Sequence, residues 1–115
     1  MSDQIEGIYA AYMTGSTGQG FAMFVIRDGL ILGADPLGVT FDGTYVPTGR
    51  GDHSGKINVR VPPNGSTIQG VSVGPHGLTY DVTVSLPNSI TDQDIVQLGT
   101  PLGPVNVRLN KLRGV

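Results

Sequence analysis

The chain has no cysteine. That single absence excludes disulfides, thiolate metal sites and cysteine nucleophiles, so the fold has to be held by its core alone. Charge is also scarce: Asp, Glu, Lys and Arg make up 14% of the residues, against roughly 25% in typical soluble domains. Solubility must then come from Thr, Ser, Asn, Gln and exposed backbone. The formal net charge of −2 argues against a general affinity for nucleic acid or anionic lipid, both of which depend on phosphate-neutralising Lys and Arg. One local excess stands out. Arg108, Lys111 and Arg113 place three of the seven basic residues in the last eight positions, a pattern that fits a solvated terminal strand with snorkelling side chains. No apolar run approaches the roughly 18 residues of a membrane span, and the first six residues lack the basic and apolar regions of a signal peptide. The expectation is a complete, cytoplasmic chain with no nucleic-acid or membrane partner.

What is abundant is glycine, with 18 residues, and proline, with eight, in a chain of 115. Glycine supplies positive φ and proline a fixed φ, so many tight turns are expected and long helices are not. The length fits one domain over residues 1–115. Between the turns, apolar and polar residues alternate with the period of half-buried strands. Phe41 and Tyr45 alternate with Asp42 and Thr44. Ile57, Val59 and Val61 alternate with Lys56, Asn58 and Arg60. Leu78, Tyr80, Val82, Val84 and Leu86 alternate with Thr79, Asp81, Thr83 and Ser85. One dry and one wet face is the pattern of an antiparallel sheet over a core.

Asp28-Gly29 between two apolar runs predicts a type I′ hairpin. Further turns are expected at residues 35–38, 47–55, 62–65, 74–77 and 87–89. Residues 89–98 read as a loop followed by a short strand, with a capped helical turn over 90–97 as the alternative. The segment 105–109 alternates again and should close the sheet. Eight or nine strands in so short a chain would leave exposed edges in an open sheet, so closure is preferred. The expected fold is all-β: a small antiparallel up-and-down barrel of about eight or nine strands.

Residues 21–26 differ from the other strands because both faces are apolar. A strand buried on both sides needs an outer cover, and with little helix available a subunit interface is expected, with Phe21, Met23, Phe24 and Ile26 as the homodimer strand. Tyr9, Phe41, Tyr45, Tyr80 and Val82 are expected to face the barrel interior. A barrel of this size is expected to fill that interior with its own side chains. A lumen open to a small apolar ligand is the alternative.

Candidate chemistry is thin. His53 and His76 fall in predicted turns with no carboxylate partner at metal spacing, and are expected to be solvated. Arg50-Gly51-Asp52 spells an integrin-recognition tripeptide, but a turn of glycine and small polar residues accounts for it. Gly18-Gln19-Gly20 leads into a strand and so lacks the helix dipole of a phosphate site. Asp35 is placed to open a turn with Pro36, and Asp42 lies on a wet face. No residues converge on a nucleophile or an acid–base pair. Neither an enzyme activity nor a metal or other cofactor is expected.

One ordered set of residues resembles a known family: Gly7-Ile8-Tyr9, Gly18-x-Gly20, Arg27-Asp28-Gly29, Gly33-Ala34-Asp35 and Asp42-Gly43-Thr44-Tyr45. In order and spacing, over residues 5–45, these are similar to motifs of the bacterial negative regulators of type III secretion, which have a lipocalin-like fold. The resemblance implies a dimeric barrel that sequesters a helix-turn-helix transcriptional activator. Ala34 stands where the family has the second glycine of its G-G-D motif. The family's acidic partner loop corresponds to residues 48–54, where Arg50, Asp52 and His53 are the candidate contact residues with one carboxylate and one guanidinium.

The expected function is accordingly a non-enzymatic regulator or adaptor acting by protein–protein contact. The alternative is a calycin-like binding protein with an apolar ligand in the barrel. A filled core with a large apolar outer surface would favour the first, and a cavity of several hundred Å³ the second.

Overall fold

The computed structural model describes residues 5–15, 18–65, 73–88, 90 and 95–115. They form eight strands: β1 Gly7–Thr14, β2 Gln19–Arg27, β3 Leu30–Ala34, β4 Thr40–Pro47, β5 Asp52–Val61, β6 Leu78–Pro87, β7 Ile95–Thr100 and β8 Gly103–Arg113. All pairs are antiparallel, in the order β6-β5-β4-β3-β2-β1-β8-β7. The chain therefore runs up and down from β1 to β6, and the β7–β8 hairpin returns to lace β8 onto β1. At the two ends of the ladder, β6 and β7 approach each other without pairing among the described residues. The result is a nearly closed barrel with a single unlaced seam.

Period-two alternation explains the closure. Ile57, Val59 and Val61 on β5, Val82, Val84 and Leu86 on β6, and Val105, Val107 and Leu109 on β8 are all buried, while the residues between them are exposed. Each such aliphatic side chain contributes about 1.5–3 kcal/mol when fully buried. A one-residue slip would turn every one of them outward, so the register is strongly fixed.

The turns follow their residues. Asp28 and Gly29 adopt φ of 52° and 80°, the left-handed pair a type I′ turn needs, and the Glu6 carboxylate accepts the Asp28 N–H at 2.8 Å. Asp35 opens the β3–β4 turn: its Oδ1 accepts the N–H groups of Leu37 at 2.8 Å and Val39 at 2.9 Å. One expectation needs correction in extent. β5 begins at Asp52, so much of the predicted 47–55 turn is strand; inward His53 and Gly55 break the apolar alternation that would have marked it. Residues 95–100 are strand β7, which excludes helix at 95–97; residues 89 and 91–94 lie outside the described part.

The barrel thus has two different ends. One carries the β1–β2, β3–β4, β5–β6 and β7–β8 connections. The other carries the 28–29 and 48–51 turns, the β6–β7 connection and the chain entry at Ile5.

Candidate functional site in the barrel interior

The interior is filled at the end where the chain enters. Tyr9 is fully buried and donates its hydroxyl to the Ile5 carbonyl at 2.6 Å. Burial, and secondarily the neighbouring Tyr45, push the Tyr9 hydroxyl up to about 12. Tyr45 meets the His53 ring edge-on, with centroids 5.4 Å apart and planes at 75°. His53 is 5% exposed, and its Nδ1 has no hydrogen-bond partner among the described residues.

Towards the opposite end the interior is empty. A cavity of about 340 Å³ runs between the inward faces of the strands. Its walls are almost entirely hydrocarbon: Val59 and Val61, Val82 and Val84, Val105 and Val107, with Val96 and Leu98 from β7. The void has a compositional cause. The sequence contains no tryptophan and only three phenylalanines, and the wall positions of β5, β6 and β8 are mainly valine, too short to cross the lumen. Two of the phenylalanines are held against the wall. The Phe24 ring lies over Gly33, where an added Cβ would come within 2.5 Å of its carbons. Phe24 also packs on Phe41, with centroids 5.0 Å apart. The rim comprises Gln19, Phe21, Asp35, Pro36, Leu37 and Thr100, and Leu37 is 77% exposed.

The predicted interior set divides between the two ends. Phe41, Tyr80 and Val82 line the cavity, whereas Tyr9 and Tyr45 belong to the filled end. The expectation of a lumen packed throughout is corrected: a cavity of about 340 Å³ occupies part of it. The predicted dimer strand also divides, because alternate residues of a strand face opposite ways. Phe21 and Met23 point outward and are each 39% exposed, while Phe24 and Ile26 point inward at 8% and 2%.

Of the predicted loop residues, Arg50 is exposed in the turn. The Asp52 carboxylate accepts hydrogen bonds from Thr48 Oγ1 and from Ser85 Oγ. The Thr48 bond chiefly, with help from Ser85 and the Arg50 charge, holds this carboxyl below its usual range against a smaller desolvation effect. His53, expected to be a solvated loop residue, is the first inward position of β5 and is buried. His76 is exposed in its turn, and Asp42 is exposed on the outer side of β4. The rim residues Gln19 and Leu37 were not singled out by sequence; their signal was adjacency to turns at one end of the barrel.

A second feature lies outside. Tyr12, Phe21, Met23, Leu30 and Leu32 are each 39–47% exposed and form a continuous apolar surface across β1, β2 and β3. The register sets Tyr12 beside Phe21 and Leu32 beside Val25, and the Tyr12 and Phe21 rings pack at 5.5 Å. Its flanks are polar, with Asp42 on β4 and Arg108 on β8. No protein-family model matches the chain, and no curated protein matches it.

Proposed function

We propose that the protein is a non-enzymatic binding barrel that holds a small apolar molecule in its interior. The observation that carries this is the cavity: about 340 Å³, inside the roughly 300–1,000 Å³ range of ligand pockets. Its walls are almost entirely hydrocarbon, with the Asp35 carboxylate at the rim. Burying about 250 Å² of ligand hydrocarbon at roughly 25 cal/mol per Å² yields about 6 kcal/mol, enough for binding in the tens of micromolar. Titration with the neutral fluorescent probe N-phenyl-1-naphthylamine should give saturable 1:1 binding. Val82→Phe, which fills the lumen, should abolish it while the fold is kept. A wild-type protein that does not bind the probe, or a Val82→Phe variant that binds it equally well, would sink this proposal.

A second reading, contact with another protein through the outer face of β1–β3, has its own support in that apolar surface. Monomers rarely expose contiguous apolar patches larger than a few hundred Å². A second copy is the best-fitting occupant. With a two-fold axis parallel to the strands, the Asp42 flank of one copy faces the Arg108 flank of the other, whereas a perpendicular axis sets like charges together. Sedimentation should find a dimer that Met23→Glu dissociates, and a wild-type monomer at micromolar concentration would refute it. Sequestration of a transcriptional activator, implied by the family resemblance, has less behind it: the Asp52 carboxylate is engaged by Thr48 and Ser85.

A further inference from the structure

The cavity has a chemical asymmetry that bears on what it can hold. Among the described residues that line it, Asp35 alone carries a formal charge, and no Lys, Arg or His is among them. Asp35 sits at the rim and is fixed there. Its Oδ1 accepts two backbone N–H groups, and its own N–H donates to the Val39 carbonyl at 3.0 Å. Its Oδ2 makes no hydrogen bond among the described residues. Beside it, Pro36 and Leu37 supply an apolar lip.

Resting on the reading of the cavity as a ligand site, we propose that it selects neutral or cationic amphiphiles, such as long-chain alcohols and amines, and rejects fatty carboxylates. An alkyl chain on the order of ten carbons fills a space of this size at protein packing density. It would lie along Val82, Val84 and Val107, with its polar end at Asp35. An ammonium or hydroxyl group there donates to the free carboxylate oxygen, the ammonium in a charge-assisted bond. A ligand carboxylate finds no cation, loses hydration against hydrocarbon, and meets a like charge.

The test is displacement of N-phenyl-1-naphthylamine by decylamine, decanol and decanoate at neutral pH. Decylamine and decanol should displace the probe at about tenfold lower concentration than decanoate, the effect of one nearby unit charge in partly screened surroundings. Asp35→Asn removes the charge but keeps the Oδ1 acceptor that closes the turn, and should bring the three ligands within about threefold of one another. Asp42→Asn removes an equal charge outside the barrel and should leave the preference intact. Should the Asp35 variant fold poorly, raising salt on the wild type serves instead, since the rim is open to ions and the preference should shrink. Decanoate binding as well as decylamine would overturn the selectivity and leave the cavity reading standing. A probe that never binds would remove the cavity reading beneath it.

Discussion

The two ends of the barrel are made from the same eight strands with the same alternation, yet one is solid and the other hollow. At the solid end large and small inward residues are matched across the ladder. Tyr45 lies opposite Gly55. Tyr9 is anchored on the Ile5 carbonyl. At the hollow end the wall positions of β5, β6 and β8 are mainly valine, and the rings of Phe24 and Phe41 pack on each other. Period two decides which residues point inward; side-chain volume decides whether they meet. On the proposed reading, stability and binding would be separated along one axis, with the packed support at one end and the room for a ligand at the other.

That contrast can be broken most strongly at Tyr9. Tyr9→Ala should cost about 3–5 kcal/mol in chemical denaturation, the usual range for deleting a buried aromatic; equal stability would show that the solid end is not the support. Alkaline pH probes the same residue without mutation. The folded state holds the Tyr9 proton up to about pH 12, whereas the unfolded state releases it near pH 10. Between those values the native state binds more protons, so stability should fall by up to about 2–3 kcal/mol as pH rises. Urea melts of wild type and Tyr9→Phe across this window would isolate the effect, which the variant should lack.

Paired enlargements sharpen the comparison further. Ala11, fully buried outside the cavity, has no space for extra methylenes, and Ala11→Leu should cost about 1–3 kcal/mol. Val59→Leu adds volume to the cavity wall and should change stability by less than about 1 kcal/mol while weakening probe binding. Equal costs would mean that the hollow end is as tightly packed as the solid one. The smallest effect is expected at the lip: Leu37→Ser should leave stability within about 0.5 kcal/mol, and stopped-flow displacement should show faster probe release.

Much of the fold was legible because alternation and turn chemistry are local. The runs Leu78 to Leu86 and Ile57 to Val61 announced their inward faces, and Asp28-Gly29 its turn. His53 was misplaced because a single buried imidazole followed by Gly55 interrupts the apolar rhythm, so the strand looked four residues shorter than it is. Residues 21–26 were seen to be apolar on both sides, but assigning Phe24 and Ile26 to an outer surface overlooked that the two faces have different neighbours. The cavity was the least legible feature. Emptiness is a property of summed volumes across strands distant in sequence, and no window of the chain displays it. The rim at Asp35 was visible only as a turn.

The unlaced seam has a consequence for how the molecule comes to be folded. Because β6 and β7 are the open edges, the first and last strands lie side by side within the sheet, with Ile8 opposite Arg113. β1 therefore cannot complete its hydrogen bonding until β8 has been made, and this pairing joins residues as far apart as Ile8 and Arg113. Contacts of such long sequence separation slow folding. Cutting the chain in the β6–β7 connection and joining the old termini would convert the barrel into a simple meander in which every pairing is between consecutive strands. The native order of the strands along the chain, more than their pairing in space, should therefore set the pace at which the barrel closes.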